Sequence, residues 1–482
     1  MFFTQQQENI ESAISLFTDT QRAFARCEAN GIKIDVPYLE QTIKETENKI
    51  NTLKQELIES DVGKRWRELY PGADFSLQAR QQLARVLFSN AYKKGETDRS
   101  FGYIGTEWSE KGQLQVSEGS LEHLTDKEDC KITSFTPKYT LWMALNKMLT
   151  TNLKGIQKGL DQNDLLHPSF SLFSVISYRT SSSNPNFQNF PNHGSLAGVV
   201  RKCFIPREKT NHLAELDYSG AEVRVNASLN HDPMLVGSVT EGVDFHKSVA
   251  ARAYMLDESE VTKELRQSVK GPFTFAAFYG SYWLKIAKGL WNGIEYGGLK
   301  LKDGTPLKDW LKKQGIDGLG DENDPQPGSY FAYIKEVERW FWEDHFRVYG
   351  EWKKTNWEQY KKTGYVDLLS GFRCAGVFTR NMVNNLAAQG SAAHCLLWSF
   401  CRLSDALLKK GYETKICGQI HDSILLDIPH EELDHVLKLA NQIMTVDLRE
   451  HFKWLAVPME IEADVAPEGK SWWEKEAYPI PK

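Results

Sequence analysis

Two strand-like runs ending in aspartate, about two hundred residues apart, constrain this chain more than any other feature. The first is Leu213-Ala-Glu-Leu-Asp217, which passes through Tyr218-Ser-Gly into a helical pattern from Ala221 to Leu229. In the second, Ile416-Cys-Gly-Gln-Ile-His421-Asp422-Ser-Ile-Leu-Leu-Asp-Ile-Pro429, apolar segments flank His-Asp. That pattern predicts two strands joined by a tight turn, with Asp422 at the hairpin tip. If the strands pair, the two carboxylates converge and can bridge two divalent ions about 3.5–4 Å apart. Either aspartate alone would read as a turn or capping residue; the pair reverses that reading.

Between the aspartates lies Arg266-Gln-Ser-Val-Lys270, followed by Phe273-Thr-Phe275-Ala-Ala-Phe-Tyr279-Gly280. Arg266 and Lys270 are one helical turn apart and share a face, where they can neutralise a triphosphate. The same spacing is common on solvated helices. His246, in Asp244-Phe-His246-Lys, offers a third donor, although a lone histidine is more often structural. Carboxylates for a pair of magnesium ions beside a cationic helix for a triphosphate are what template-directed phosphoryl transfer requires.

At 482 residues the chain is too long for one ordinary core, so two or three domains or one multi-lobed enzyme is expected. The net charge of −6 argues against indiscriminate nucleic-acid binding but leaves room for a basic groove, because screening confines each patch to its neighbourhood. Seven cysteines without a C-x-x-C pair suit reduced thiols and offer no zinc site of their own. There is no apolar stretch of about 18 residues, and Met1-Phe-Phe-Thr-Gln-Gln-Gln-Glu turns polar at once. A soluble, cytoplasmic protein with no membrane partner is expected.

Helices are expected over 7–60, interrupted at Asn30-Gly31 before the alternating Ile32-Lys-Ile34-Asp-Val36, and over Leu77 to Leu87 behind Ser76 as N-cap. Residues from about 98 to 135 read as loops and short strands. Lys138, Lys147, Lys154 and Lys158 lie in a stretch without acidic residues, which suits a helical pair with a basic side for a duplex backbone, or a solvated face. Strand and helix periods alternate over 164–230, and 232–372 is mainly helical with a turn-rich, acidic insertion near 295–330. A helix from about Asn381 to Leu408 then leads into the His421-Asp422 runs.

With these motifs in order, the chain resembles the polymerase part of the family A (DNA polymerase I-like) DNA polymerases, of bacteriophage type, over nearly its whole length. Asp217-Tyr-Ser-Gly-Ala-Glu-Val-Arg224 resembles the first palm motif, Arg266 through Gly280 the fingers helix, and Gln419-Ile-His-Asp422 the second palm motif. Tyr178-Arg179-Thr-Ser-Ser-Ser-Asn-Pro-Asn-Phe-Gln188-Asn189 is similar to the primer-template segment, and Asn385-Leu-Ala-Ala-Gln389-Gly390 to a palm helix that touches template. The resemblance implies an α+β right-hand polymerase fold with an antiparallel palm sheet, helical fingers and a helical thumb. The expected parts are 1–163 for thumb and N-terminal helices, 164–231 and 373–482 for the palm, and 232–372 for the fingers.

It implies that Asp217 and Asp422 bind two Mg2+ ions with the Tyr218 carbonyl, that Lys270, Arg266 and His246 serve the nucleotide's phosphates, and that Glu222 excludes a 2′-hydroxyl. Tyr279 would stack near the template base and Phe275 against the sugar. Arg179, Gln188, Asn189, Asn385, Gln389 and His421 would touch primer-template DNA, through minor-groove acceptors that vary little among base pairs, or through its backbone. The implied substrates are primer-template DNA and deoxynucleoside triphosphates.

Three departures qualify the likeness. Ser423 stands where the family usually has Glu, as in the related single-subunit RNA polymerases. Lys270 and Tyr279 are nine residues apart instead of eight, with Gly271-Pro272 between, which would rotate one end of a straight helix by about 100° against the other. A π-bulge or a Gly-Pro break is therefore expected to absorb the extra residue, and the choice of Phe275 over Phe273 depends on it. Finally, the thumb-like sequence begins within about 25 residues of Met1, so no proofreading exonuclease is expected in this chain and a separate exonuclease or processivity partner is open. The rivals are an RNA polymerase-like enzyme and an inactive DNA-binding relative.

Overall fold

The computed structural model describes residues 2–105, 107–109, 111–125, 130–192 and 194–481. Its first helix, Phe2–Asn30, stops at Gly31, whose φ of 60° is left-handed and whose α-carbon is crowded by His167 and the Leu166 carbonyl, so that a Cβ would lie within 2.9 Å of both. The strand Ile32–Ile34 follows and pairs with Leu165–Leu166 and Phe204–Ile205. Asp35 then caps the helix Val36–Glu59 by accepting from the Tyr38 N–H at 3.0 Å.

The four lysines lie along a helical rod, Cys130–Lys147 continued by a π turn at Met148–Leu153 and by Lys154–Gly159. Lys138 and Lys154 pair with Glu56 and Glu47 at 2.7 Å, while Lys147 and Lys158 are exposed. Half of the basic face thus meets the long helix Val36–Glu59 in exposed ion pairs, each worth about 0–1 kcal/mol. Two local expectations are corrected. The helix foreseen at Leu77 starts at Arg80, because the Ser76 hydroxyl accepts from Gln78 N and closes a turn instead of a helix. The stretch 98–135 turns helical from Glu118, where Ser117 and Ser120 hydrogen-bond reciprocally; residues 106, 110 and 126–129 of it lie outside the described residues.

The central sheet is antiparallel, in the order Glu476–Ala477, Ile461–Val465, Asn211–Tyr218, Ser423–Pro429, Lys415–Ile420. Ser423–Pro429 is buried at every position, which explains its nearly unbroken apolar run. Its one acid, Asp427, accepts from Arg207 N at 2.9 Å and Asn211 Nδ2 at 2.8 Å. Against the sheet packs the 31-residue helix Arg380–Lys410, which opens on the Thr379 cap and closes at left-handed Gly411.

Two hydrophobic cores result. One joins residues 13–225 to 366–472; the other gathers residues 227–349 with Val457. The helix Ala221–Asn230 ties them together, with Ala221 and Val225 in the first core and Ala227 in the second.

Within the first core His394 is fully buried, with Nε2 3.3 Å from the Tyr178 carbonyl oxygen and Nδ1 against the Ser370 hydroxyl. Nε2 must carry the hydrogen, and burial pushes the ring's pKa down to about 4. Unfolded histidine titrates near 6.5, so the unfolded chain takes up this proton first and stability is lost as pH falls from about 6.5 to 4, by roughly 1 kcal/mol per pH unit for this one group. Thermal unfolding followed from pH 7 to pH 4.5 is expected to give a falling midpoint, with a shallower slope in His394→Gln.

Candidate active site

Lys415–Ile420 and Ser423–Pro429 form a hairpin in which Ile420 pairs with Ser423, leaving His421 and Asp422 as the two-residue turn. His421 takes the left-handed φ of 52° that such a turn needs. On the other edge of Ser423–Pro429, Ser423 lies directly opposite Asp217. Asp217 and Asp422 are therefore neighbours at one end of the sheet, both open to solvent. The pKa of Asp217 is pushed up to about 7, first by the surrounding walls of the site, which exclude bulk water although solvent reaches the side chain, then by the like charges of Asp422 and Glu215. The Tyr218 side chain points the opposite way, its hydroxyl 2.8 Å from Ser399 Oγ and from the Met444 carbonyl, so only its main chain belongs to the site. Two carboxylates and a carbonyl in a water-accessible place are hard oxygen donors, the set that suits Mg2+.

Glu215 was missed by motif reading, although strand alternation puts it on the face of Asp217. Ser423 Oγ donates to it at 2.9 Å, Trp472 Nε1 at 2.8 Å and Lys475 Nζ at 2.7 Å. Arg201 completes the cluster, with its guanidinium 3.8 Å above the Trp472 ring. Burial alone would raise the Glu215 pKa, but Lys475, Trp472 and Arg201 more than offset it and hold the carboxyl below its usual range. Ser423, where the resemblance led one to expect an acid, is thus linked to an acid on the adjoining strand.

The cationic helix Lys263–Val269 continues as a π turn over Lys270–Phe275, in which Ala276 N–H reaches back five residues to the Gly271 carbonyl. Pro272 has no N–H to give, so this widening costs no hydrogen bond at that residue. The turn absorbs the extra residue as the spacing required. It buries Phe273 completely against Phe341 and leaves Phe275 half-buried, with its ring 5.6 Å from that of His246 and lining a small cleft with Glu222, Tyr279, Asn385 and Gln389. Arg266 is held by Asp244 at 2.6 Å, whereas among the described residues Lys270 has no ion pair. His246 is buried, and burial with the nearby charges of Lys270 and Arg266 lowers its pKa to about 4, so it faces the site as a neutral ring.

Across the cleft the Tyr279 hydroxyl donates to Glu222, whose pKa is raised by burial against the pull of Tyr279 and Arg179. Asn385 Nδ2 donates to the Tyr279 carbonyl at 3.2 Å, and Arg179 lies 3.4 Å from Gln389 Oε1. Gly280 is fixed as glycine by its φ of 91° and by Asn381, which a Cβ would meet at 2.3 Å. Gln188 donates to Gln419 at 3.1 Å, and Gln419 donates to the His421 carbonyl at 2.6 Å. Asn189 is exposed beside them. Glu222, Phe275, Tyr279, Asn385 and Gln389 thus line one cleft, and Arg179, Gln188 and His421 line a second together with Gln419. Lys353 was foreseen by no motif: it donates to the Ala277 carbonyl at 3.2 Å, and burial, with Arg380 nearby, lowers its pKa to about 8.

A family model described as DNA polymerase family A matches residues 36–296 and 329–474. DNA polymerase I of Lactococcus lactis subsp. lactis is 25% identical over 471 residues, covering 97% of this chain and 46% of its own. The thermostable DNA polymerase I of Thermus filiformis is 27% identical over 467 residues, covering 94% and 47%. The chain spans about half the length of the curated relatives it matches. Among solved structures, the POL domain of Pol1 from M. smegmatis in complex with DNA primer-template and dNTP superposes with a TM-score of 0.72 at 22% identity, over 95% of this chain and 70% of that one. That likeness establishes the α+β right-hand polymerase fold.

A carboxylate whose folded pKa lies above its unfolded value of about 3.8 weakens the fold increasingly as pH rises from 4 through 7. In EDTA, Asp217→Asn is therefore expected to melt higher than wild type at pH 8, with a smaller gain at pH 5. A lower melting point at pH 8 would contradict the raised pKa.

Proposed function

The chain belongs to DNA polymerase family A, and we propose that it extends a primer 3′-hydroxyl with deoxynucleoside triphosphates on a DNA template, releasing pyrophosphate. The observation that carries this reading is the register that sets Ser423 opposite Asp217 and thereby Asp217 beside Asp422. In this assignment 164–231 and 373–482 are the palm, 232–372 the fingers and 1–163 the thumb with the N-terminal helices. The second core, and the break in the family match between 296 and 329, support separate fingers with an insertion near 295–330.

Two Mg2+ ions bound by Asp217, Asp422 and the Tyr218 carbonyl would activate the primer hydroxyl and neutralise the leaving pyrophosphate. The protein's own part is positioning and charge. Lys270 and Arg266 face the triphosphate from one side of a helix, and Arg266 exchanges its contact with Asp244 for a phosphate oxygen on binding. Neutral His246 adds an uncharged ring to the same wall. Phe275 packs at the sugar, and Tyr279 leaves Glu222 to stack at the template base. Glu222, fixed on the first turn of the Ala221–Asn230 helix, occupies the volume a 2′-hydroxyl would need. In this reading Arg179, Gln188, Asn189, Asn385, Gln389 and His421 meet the primer-template, where the minor groove can be read by shape.

A magnesium-dependent primer-extension assay tests the reading: because metal placement carries most of this chemistry, Asp422→Ala is expected to lose roughly a thousandfold or more in rate, several kcal/mol of barrier. DNA binding without incorporation by the wild-type protein would refute it. In the same assay, Glu222→Ala is expected to raise ribonucleotide use relative to deoxynucleotide use by about tenfold or more, since removing the bulk costs the competitor no clash.

A further inference from the structure

The end of the central sheet remote from Asp217 gathers three donors that the polymerase reading leaves unused. His212 is nearly buried and lies five residues before Asp217 on the same strand, about 16 Å away along it. Its cross-strand partner is Ile428, and the chain bends after Pro429 to bring His430 alongside. On the opposite side, Ala466 N donates to the Leu213 carbonyl at 2.8 Å and Gly469 N to the Asn211 carbonyl at 3.0 Å. These two bonds straddle His212 and hold Glu468 between them.

His212 Nε2 lies 3.1 Å from His430 Nδ1, and His430 Nδ1 lies 2.8 Å from Glu468 Oε1; all three donor atoms fall within 4.8 Å of one another. His212 Nδ1 is 2.9 Å from the Ala466 carbonyl oxygen, which has no hydrogen to give. Nδ1 must therefore be the protonated nitrogen, and Nε2 turns a lone pair toward the other two groups. A carbonyl fixing the far nitrogen in this way is the usual outer-shell partner of a metal-ligating imidazole.

We propose that His212 Nε2, His430 Nδ1 and Glu468 Oε1 form a site for one zinc-class transition-metal ion, with water in the fourth position. Two imidazoles and a carboxylate select Zn2+ and its neighbours over Mg2+ or Ca2+. Tetrahedral bonds of 2.0–2.1 Å place ligand atoms about 3.3–3.4 Å apart, close to the two contacts seen. His430 and Glu468 have side chains 62% and 48% exposed, so small rotations complete the geometry without disturbing the core. Since each ligand comes from the end of a different strand, the ion would clamp three neighbouring strands.

Cobalt serves as the probe, in metal-free protein carrying Asp217→Ala and Asp422→Ala so that the other carboxylate pair does not compete. One equivalent of Co2+ is expected to give the visible absorption of a four- or five-coordinate ion, displaced by Zn2+. Adding His430→Ala should abolish the band, and Glu468→Ala should weaken binding by at least about tenfold. Zn2+ should raise the melting midpoint only with the triad intact. A proton shared among the three groups would give the same close contacts without a metal; no cobalt band, or a band unchanged in His430→Ala, would overturn the site.

Discussion

Seven consecutive antiparallel pairs, from Asn211 opposite Pro429 to Ser423 opposite Asp217, hold the two candidate carboxylates in one place, and everything else is arranged around them. A slip of one residue would turn Asp217 to the opposite face. Apolar side chains alone would resist this weakly, because Ser423–Pro429 is buried on both faces. Polar locks at the two ends supply the discrimination. Asp427 meets Arg207 and Asn211 at one end, and Ser423 meets Glu215 at the other. Removing one partner of such buried contacts leaves the other unpaired, at a cost of about 3–5 kcal/mol for an ion pair.

Glu215 and Asp217 illustrate how neighbours decide the state of one chemical group. They sit two residues apart on one face of one strand. Lys475, Trp472 and Arg201 keep the first ionised, while the second, desolvated by its surroundings and repelled by Asp422 and Glu215 more than Lys475 attracts it, has its pKa raised to about 7. The pull of Lys475 on Asp217 is outweighed, so the charge that gathers at the hairpin tip is left for a bound cation to balance. Family membership and this uncompensated charge point in the same direction.

The π turn at Lys270–Phe275 shows a local irregularity serving a global alignment. In the proposed assignment the cations and the aromatics of this segment serve one nucleotide although an extra residue separates them. Gly271-Pro272 supplies the break, and the packing of Pro272 on Gly289, where a Cβ would lie at 3.2 Å, holds it. The helix Ala221–Asn230 then couples this wall to the sheet by contributing to both cores.

The alternating and apolar runs, the turn at His421-Asp422, the break at Gly31 and the nine-residue interval before Tyr279 were legible in the sequence, since each is set by backbone geometry within a few residues. The candidate site residues were named from ordered motifs, and of these the structure brings Glu222, Phe275, Tyr279, Asn385 and Gln389 to one cleft. Less was legible where partners are remote. Ser76 looked like a helix cap until a turn claimed it, Lys138 and Lys154 looked free until Glu56 and Glu47 met them, and Glu215 was an unremarked strand residue until Trp472 and Lys475 arrived from the far end of the chain. His212, His430 and Glu468 share no spacing that a motif could express. Local periodicity determines which elements form, but the strength and even the sign of an electrostatic or coordinating interaction depend on groups that only the folded chain brings within a few ångströms.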